Sequence, residues 1–440
     1  MRRLAGVYLV FGTVLAVIAF SKLHALWHEY DYTDSLRFGW SILFAAALLV
    51  TAYAFGFPGL IRSWRDGLLS AVGACGLTCL AISVLQLFVG DALLPRFVVF
   101  SSALTLVPWY AACSMLDLNW RRRAEERDRV VVVADRTEAK HLRDELSNGP
   151  ERPAHLVDII KINQAQTNGS SKQPLSERVT AERASVLVLS REAQIDESIV
   201  TQAAFAHQSG IRVRTLSGFY EEWLAKLPIT ELERMSLMFD IGEIHGRRYV
   251  RIKRLMDIGI ALAGLVALVL LLPVVVLLDL IANRGPLLYR QDRVGKNGTI
   301  FRILKFRTMR VTGDTPSNEW TTEDDPRITP GGGLLRRTHI DELPQALNVL
   351  RGDLSVVGPR PEQPRYVSWL VDRIPFYDFR HVIRPGVTGW AQVKHGYAGC
   401  ERDALEKLQY DFYYLRHQSF GTDLRVMART IRTVMGLGGR

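Results

Sequence analysis

Cysteine is scarce in this 440-residue chain: only Cys75, Cys79, Cys113 and Cys400 occur. Three of the four lie inside apolar runs and none has metal-ligand spacing with a histidine, so buried thiols are expected rather than a disulfide framework. His339 and His395 likewise lack a partner at metal spacing. Glycine is missing where a dinucleotide site would need it, because the turn after the strand near residue 130 reads Asp135-Arg136-Thr137. Without glycine there, the backbone cannot approach a pyrophosphate closely. No small-residue cleavage site follows the first apolar run, so that run reads as a membrane span and not as a removable signal peptide. Acidic residues are in the minority, 45 against 55 Lys and Arg, for a formal net charge of +10. That balance favours phosphorylated or anionic partners, and the apolar runs favour lipid and phosphate over nucleic acid.

Long apolar runs are what the chain has in abundance. Residues 4–20, 38–61, 67–90 and 93–116 are each about long enough to cross a bilayer core. Arg2, Arg3, Arg62, Arg65 and the basic cluster at 119–123 fall on one side of a four-span arrangement, whereas the other side carries Glu29, Asp31, Asp34 and Asp91. Positive residues mark the cytoplasmic face, which places the N-terminus and everything after Arg121 in the cytoplasm. A fifth run, 258–278, has bases on both flanks: Arg251, Lys253 and Arg254 before it, Arg284, Arg290 and Arg293 after. If both flanks are cytoplasmic, the segment enters and leaves by one face; a plain span would instead put residues 284–440 on the opposite side from the middle domain. Pro273 supplies a break, since proline removes a helical hydrogen bond.

Between the membrane runs the pattern alternates strand and helix. Strands are expected at 129–134, 155–160, 185–189 and 211–215, helices at 137–146 and 197–209, and a polar stretch at 163–173. Such alternation predicts a small, doubly wound parallel sheet. With no glycine loop, it reads as a structural or regulatory domain.

Three blocks after residue 300 concentrate the groups that phosphate chemistry needs. In the first, 301–309, Lys305 and Arg307 share one strand face, with Leu304 and Phe306 on the other. In the second, Leu343, Leu347 and Leu350 recur at helical spacing, so a helix begins near Asp341, with Pro344 tolerated in its first turn. Asp341 and Glu342 then sit at a helix N-terminus, where an anion is favoured. They suit either a carboxylate nucleophile or plain capping, Thr338 and Asp341 having capping-box spacing. In the third, Arg360 lies between Pro359 and Pro361, so its backbone is restricted on both sides, and its guanidinium suits either bidentate phosphate recognition or a solvated place in a proline-rich turn.

Taken together, these blocks and several others resemble the bacterial sugar transferases, the monotopic polyprenyl-phosphate phosphoglycosyl transferases. The resemblance covers about residue 251 to the C-terminus. It rests on Lys253-Arg254-Leu255-Met256-Asp257, Gln291-Asp292-Arg293-Val294-Gly295, 304–309, Asp325-Pro326-Arg327-Ile328-Thr329, 341–345, 358–361, 384–393 and Tyr410-Asp411-Phe412-Tyr413-Tyr414. The bundle and middle segment look like the larger, hexose-type members. The implied architecture is a four-helix transmembrane bundle (1–120), a Rossmann-like α/β domain (128–228) and an α/β catalytic domain (250–440) with a re-entrant membrane helix (257–280). The implied reaction is transfer of a sugar-1-phosphate from a UDP-sugar to undecaprenyl phosphate, with release of UMP, starting exopolysaccharide, capsule or O-antigen assembly. Asp341 would be the nucleophile and Glu342 its partner, both near a Mg²⁺ ion. Arg360 would grip phosphate, with Lys305, Arg307 and Arg337 as further contacts. Lys253, Arg254 and Asp257 would lie at the interfacial end of the re-entrant helix, and Pro273 at its kink. The implied setting is a bacterial inner membrane with a cytoplasmic catalytic domain, for which a homodimer is reasonable.

This sequence departs from the family pattern in three places. Leu272 stands where serine is usual before the kink proline, Gln291-Asp292 replaces Gln-Glu, and Gly331-Gly332-Gly333 suggests a mobile loop before the dyad. At the C-terminus, Leu424, Met427, Ala428, Ile431, Val434 and Met435 form one helical face, and Arg425, Arg429 and Arg432 another. That helix suits either the headgroup plane or its own domain. Trp390 would anchor a turn or border the nucleotide base. Two competing readings are an inactive scaffold of an export complex, disfavoured by the intact Asp341-Glu342 pair and Arg360, and a nucleotide-sugar oxidoreductase, disfavoured by the missing glycine loop.

Overall fold

A computed structural model of the chain describes residues 2–33, 35–57, 61, 63–89, 94–125, 128–148, 154–167, 173–228, 247–282, 286–310, 327–394 and 401–434. Asp34, Arg62, Asp91, Arg284, Asp325, Pro326, His395, Cys400 and Met435, singled out above, lie outside them, as does part of the polar stretch 163–173. The chain divides into two compact units, residues 116–239 and the remainder.

Helices α1 (Arg2–Trp27), α2 (Leu36–Ala54), α3 (Trp64–Val89) and α4 (Arg96–Glu125) form an N-terminal bundle that belongs to the larger unit up to residue 115. Each is long and apolar enough to cross a membrane. Their outward faces stay apolar, with Phe11, Leu36 and Leu104 among the most exposed side chains. Between the helices, hydroxyls pair across the packing: Thr13 with Tyr110 at 2.9 Å, Ser21 with Ser41 at 3.0 Å and Thr51 with Thr78 at 2.7 Å. Each such bond contributes about 0.6 kcal/mol in lipid, where apolar contact alone drives little association.

The smaller unit is an α/β layer built on the parallel strands β1 (Arg129–Val133), β2 (His155–Ile160), β3 (Val186–Leu189) and β4 (Arg212–Thr215), in the order β2-β1-β3-β4. The central strands β1 and β3 are runs of Val and Leu buried on both faces, as a covered parallel sheet requires. One apolar cluster holds Val131 and Leu187, and the opposite one Val130 and Val186. Helix α5 (Arg136–Asn148) follows β1, and α6 (Pro174–Ala181) and α7 (Glu197–Gln208) flank β3. Asp196 caps α7 by accepting from the Ser198 and Ile199 amides.

The rest of the larger unit begins with α8 (Arg247–Ala282), a 36-residue helix about 54 Å long. It is the fifth helix apolar and long enough to span. The expected break at Pro273 is not a break in the helix, which runs through it. One missing hydrogen bond costs less than ending the helix would, since an end leaves several backbone groups without partners in apolar surroundings. The hairpin β5 (Leu288–Val294) and β6 (Ile300–Phe306) is antiparallel, with Tyr289 opposite Lys305. Helix α9 (Pro330–Arg337), a 3₁₀ turn (Ile340–Glu342) and α10 (Gln345–Arg351) lead to β7 (Ser355–Val357). After α11 (Pro364–Val371) and a second 3₁₀ turn (Tyr377–Val382), β8 (Gly386–Thr388) pairs in parallel with β7. Helices α12 (Trp390–Lys394), α13 (Glu401–Arg416) and α14 (Phe420–Val434) close the unit.

The glycines at 331–333 are not a loop but part of α9. Thr329 caps that helix by accepting from the Gly332 amide, and a Cβ on Gly332 would overlap the Thr308 carbonyl oxygen. Glycine is therefore present to let two backbones touch.

Candidate active site

The dyad is presented by the 3₁₀ turn between α9 and α10. His339 precedes it in the left-handed region (φ 54°), and Pro344 follows it. Thr338 does not form the capping box its spacing suggested. Its hydroxyl donates back to the Leu334 and Leu335 carbonyls, closing α9 instead.

From this turn Glu342 reaches β6, where Lys305 Nζ donates to its Oε1 at 2.6 Å, and Arg360 Nη2 stands 3.7 Å from the same oxygen. Burial would raise the Glu342 carboxyl, but Lys305 and Arg360 outweigh it and hold the group at about 2. Asp341 is buried, at 8% exposure, and its carboxylate makes no hydrogen bond or ion pair among the described residues. Burial and the Glu342 charge push Asp341 above the usual carboxylate range, opposed by Lys305, His339 and Arg336. Burial also lowers Lys305, and Glu342 offsets part of that. Two adjacent carboxylates therefore differ in role: one is locked as an anion by cations, the other is left open and is the more basic.

Asn348, fully buried on α10, keeps the two halves of this pair in register. Its Oδ1 accepts from the Leu304 amide at 3.0 Å, and its Nδ2 donates to the Arg302 carbonyl at 2.8 Å and to Asp353 at 3.1 Å. The side chain thus substitutes for a neighbouring strand on β6 and fixes Lys305 against the turn that carries Glu342.

Other expected site residues lie elsewhere. Arg307 lies just beyond the end of β6 and is buried; it donates to the Pro286 carbonyl at 2.8 Å and to Asp279 of α8 at 3.3 Å. Arg337 is exposed at the end of α9, whereas its neighbour Arg336 acts electrostatically on Asp341. Lys253, Arg254 and Asp257 all bond into the surrounding fold. Lys253 Nζ and Tyr249 OH donate to Asp423 Oδ2 at 2.8 Å each, and Tyr414 OH donates to Oδ1 at 2.6 Å. Arg254 donates to the Val349 and Leu350 carbonyls, and Asp257 accepts from Ser355 and the Val356 amide. Trp390 is buried, stacked on Tyr413 at 5.7 Å, with Arg429 over its ring at 5.0 Å. It anchors α12 to α13 and α14. On α14 Asp423, Val426 and Ala428 are buried, while Ile431 is exposed, so the buried positions coincide only in part with the apolar face read from the sequence.

Two residues before Arg360, at the ends of β7 and β8, backbone packs on backbone. A Cβ on Gly386 or on Gly389 would overlap Gly358 main-chain atoms, so β7 and β8 meet without side chains between them.

As for a metal, no group of three or more His, Cys, Asp or Glu that could hold one occurs among the described residues. Asp341 and Glu342 are still a fitting donor set for Mg²⁺, which takes one or two carboxylates and completes its shell with water and substrate phosphates.

The catalytic unit is where the chain resembles known proteins. A family model described as bacterial sugar transferase matches residues 248–436. Over 252 residues the chain is 37% identical to the UDP-N-acetylgalactosamine-undecaprenyl-phosphate N-acetylgalactosaminephosphotransferase of Aeromonas hydrophila, covering 52% of this chain and 59% of that protein. It is 38% identical over 184 residues to the UDP-glucose:undecaprenyl-phosphate glucose-1-phosphate transferase of Escherichia coli K12, covering 41% of this chain and 39% of the relative. Over 153 residues it is 40% identical to a putative undecaprenyl-phosphate N-acetylgalactosaminyl 1-phosphate transferase of Bacillus subtilis 168, covering 33% of this chain and 86% of that protein. The chain thus spans less than two thirds of the two longer relatives and most of the shorter one, and the range matched by the family model takes in the dyad turn, β6 and the Arg360 loop. This chain belongs to the bacterial sugar transferase family.

Proposed function

We propose that this protein transfers a sugar-1-phosphate from a UDP-sugar to undecaprenyl phosphate, with Asp341 as the nucleophile. The observation that carries the reading is the asymmetry of the dyad: Glu342 is held by Lys305 and Arg360, and Asp341 is open and the more basic. In the first step an Asp341 carboxylate oxygen bonds to the β-phosphorus. The bond from that phosphorus to the bridging oxygen breaks, and UMP leaves with the electron pair. In the second step a phosphate oxygen of the polyprenyl phosphate attacks the same phosphorus, and Asp341 departs as carboxylate. Arg360 and Lys305 supply positive charge where the diphosphate lies, fixed before substrate arrives. Bound at the dyad, Mg²⁺ would neutralise part of the diphosphate charge.

The acceptor is a lipid, and α8 offers it a path. We place α8 as a re-entrant element, bent at Pro273 without a break in its helical run, whose two ends lie at the cytoplasmic face of a bacterial inner membrane. Support comes from its anchors: Asp257 bonds to β7, and Asp279, 22 residues on and roughly 33 Å along the axis, bonds to Arg307 beside β6. A straight crossing of a bilayer core about 30 Å thick would put these two anchors on opposite faces. Engineered cysteines replacing Arg251 and Tyr289, probed with an impermeant maleimide, should both label from the cytoplasmic side only; labelling from opposite sides would mean a simple span.

The relatives' names divide between glucose and N-acetylgalactosamine, so the donor is to be found by a panel. The decisive experiment is UMP release by the detergent-extracted chain with Mg²⁺, undecaprenyl phosphate and a range of UDP-sugars, beside Asp341→Asn. Release with one donor, abolished in the variant, is expected. Folded protein that releases UMP from none of them would overturn the proposal.

A further inference from the structure

The loop that carries Arg360 cannot hold itself in place by its own amides, because Pro359 and Pro361 have no N–H to donate. Its carbonyls are held instead, one after another. Pro359 O accepts from the Gly386 amide at 2.9 Å, Arg360 O from Arg380 Nη2 at 3.1 Å, Pro361 O from Arg293 Nη1 at 3.0 Å and Glu362 O from the Val294 amide at 2.9 Å. Two of these four donors are arginine side chains from distant parts of the chain. Neither belongs to the dyad or the phosphate contacts described above.

Arg380 is itself fixed. It is 5% exposed, and Asp411 on α13, 1% exposed, receives its Nε at 3.1 Å and its Nη2 at 2.8 Å. Nη1 donates to Tyr377 OH at 2.6 Å. All three guanidinium nitrogens are thus engaged, and the planar fork can adopt only one orientation. An arginine–carboxylate pair this deep is a poor source of net stability, because desolvation offsets most of the attraction. What the pair does deliver is direction, since Nη2 is aimed at the one carbonyl belonging to the residue beside Glu342.

We infer that Asp411, acting through Arg380, is a positioning residue that sets where the Arg360 guanidinium stands relative to the dyad and the substrate diphosphate. The inference rests on the proposed function for what Arg360 holds. Asp411 touches no reacting atom. It fixes Arg380, Arg380 fixes the Arg360 carbonyl, and the Arg360 side chain follows its backbone to 3.7 Å from Glu342.

The test is a double-mutant cycle on the full chain in detergent, read as UDP affinity by calorimetry and as KM and kcat for UMP release. Asp411→Asn keeps the shape of the side chain and removes its charge. With wild-type Arg360, it should weaken UDP binding and raise KM on the order of tenfold, the range expected when a phosphate contact shifts by a fraction of an ångström. With Arg360→Ala, the same substitution should change UDP affinity less than twofold, because the group being positioned is gone. Should Asp411→Asn fail to fold, Tyr377→Phe removes a single acceptor from Arg380 and should weaken UDP binding about threefold, again only when Arg360 is present. Equal effects in both backgrounds, or unchanged UDP affinity in a folded Asp411→Asn, would overturn the positioning role alone. A wild-type chain that neither binds UDP nor releases UMP would overturn the proposed function, and this inference with it.

Discussion

Replacing Lys305 with methionine tests the electrostatics of the dyad most directly. The change keeps the stem and removes the charge that touches Glu342 at 2.6 Å. Holding that carboxyl at about 2 instead of 4.5 corresponds to about 3 kcal/mol of interaction with its charged form. Part of this is offset, because burial works against the charge on Lys305 itself. Breaking a buried pair typically costs about 3–5 kcal/mol, but here Arg360 stays within 3.7 Å of Glu342. We therefore expect Lys305→Met to destabilise the chain by about 2 kcal/mol. Glu342→Gln in the same chain should restore most of that, by removing the stranded charge. Urea unfolding of the detergent-solubilised protein, followed by tryptophan fluorescence, gives the four corners of the cycle. The pH dependence has a definite sign. Because the folded value of Glu342 lies below its unfolded one, its contribution is fully present above about pH 4.5 and is lost as pH falls towards 2. The gap between wild type and Lys305→Met should then be constant from pH 8 to 5 and narrow below that. Additive effects within about 0.5 kcal/mol, or a gap that widens in acid, would refute the pairing as the cause.

Three further outcomes can be checked. Only ionised Asp341 can attack, and its folded value lies above 3.8, so single-turnover UMP release should rise with pH along an acid limb displaced upward from that of an ordinary aspartate; a limb at or below 3.8 would contradict the assignment. Gly332→Ala forces a methyl group onto the Thr308 carbonyl and should destabilise the chain by about 1–3 kcal/mol, seen as a lower midpoint in the same urea titration. Asn348→Ala strands the Leu304 amide and the Arg302 carbonyl; it should cost about 2 kcal/mol and reduce UMP release by loosening Lys305.

How much of this could be read from the chain depended on whether the signal was local. The valines of β1 and the leucines of β3 announce a parallel sheet, because both faces are buried and no polar position interrupts the run. The Asp341-Glu342 pair and Lys305 were legible as chemistry-bearing types, and the fold brings them together with Arg360. Arg307 was not legible as a partner of Asp279, because the two are 28 residues apart and strand alternation ends at Phe306. Nor could spacing tell Arg336 from Arg337; only the phase of α9 does. Three consecutive glycines read as a loop because propensity is local, whereas the contact with Thr308 that favours them is not. Asp411 lies in a block that carried the family resemblance, but its pairing with Arg380, 31 residues earlier, had no local signal.

Where Gly358, Gly386 and Gly389 interlock, main chain meets main chain below the surface. Contact of that kind admits no gradual change, since the smallest side chain already collides. Variation that alters donor choice must then fall on positions that carry side chains and reach solvent. Attempts to change it should begin there and leave the buried glycine contact untouched.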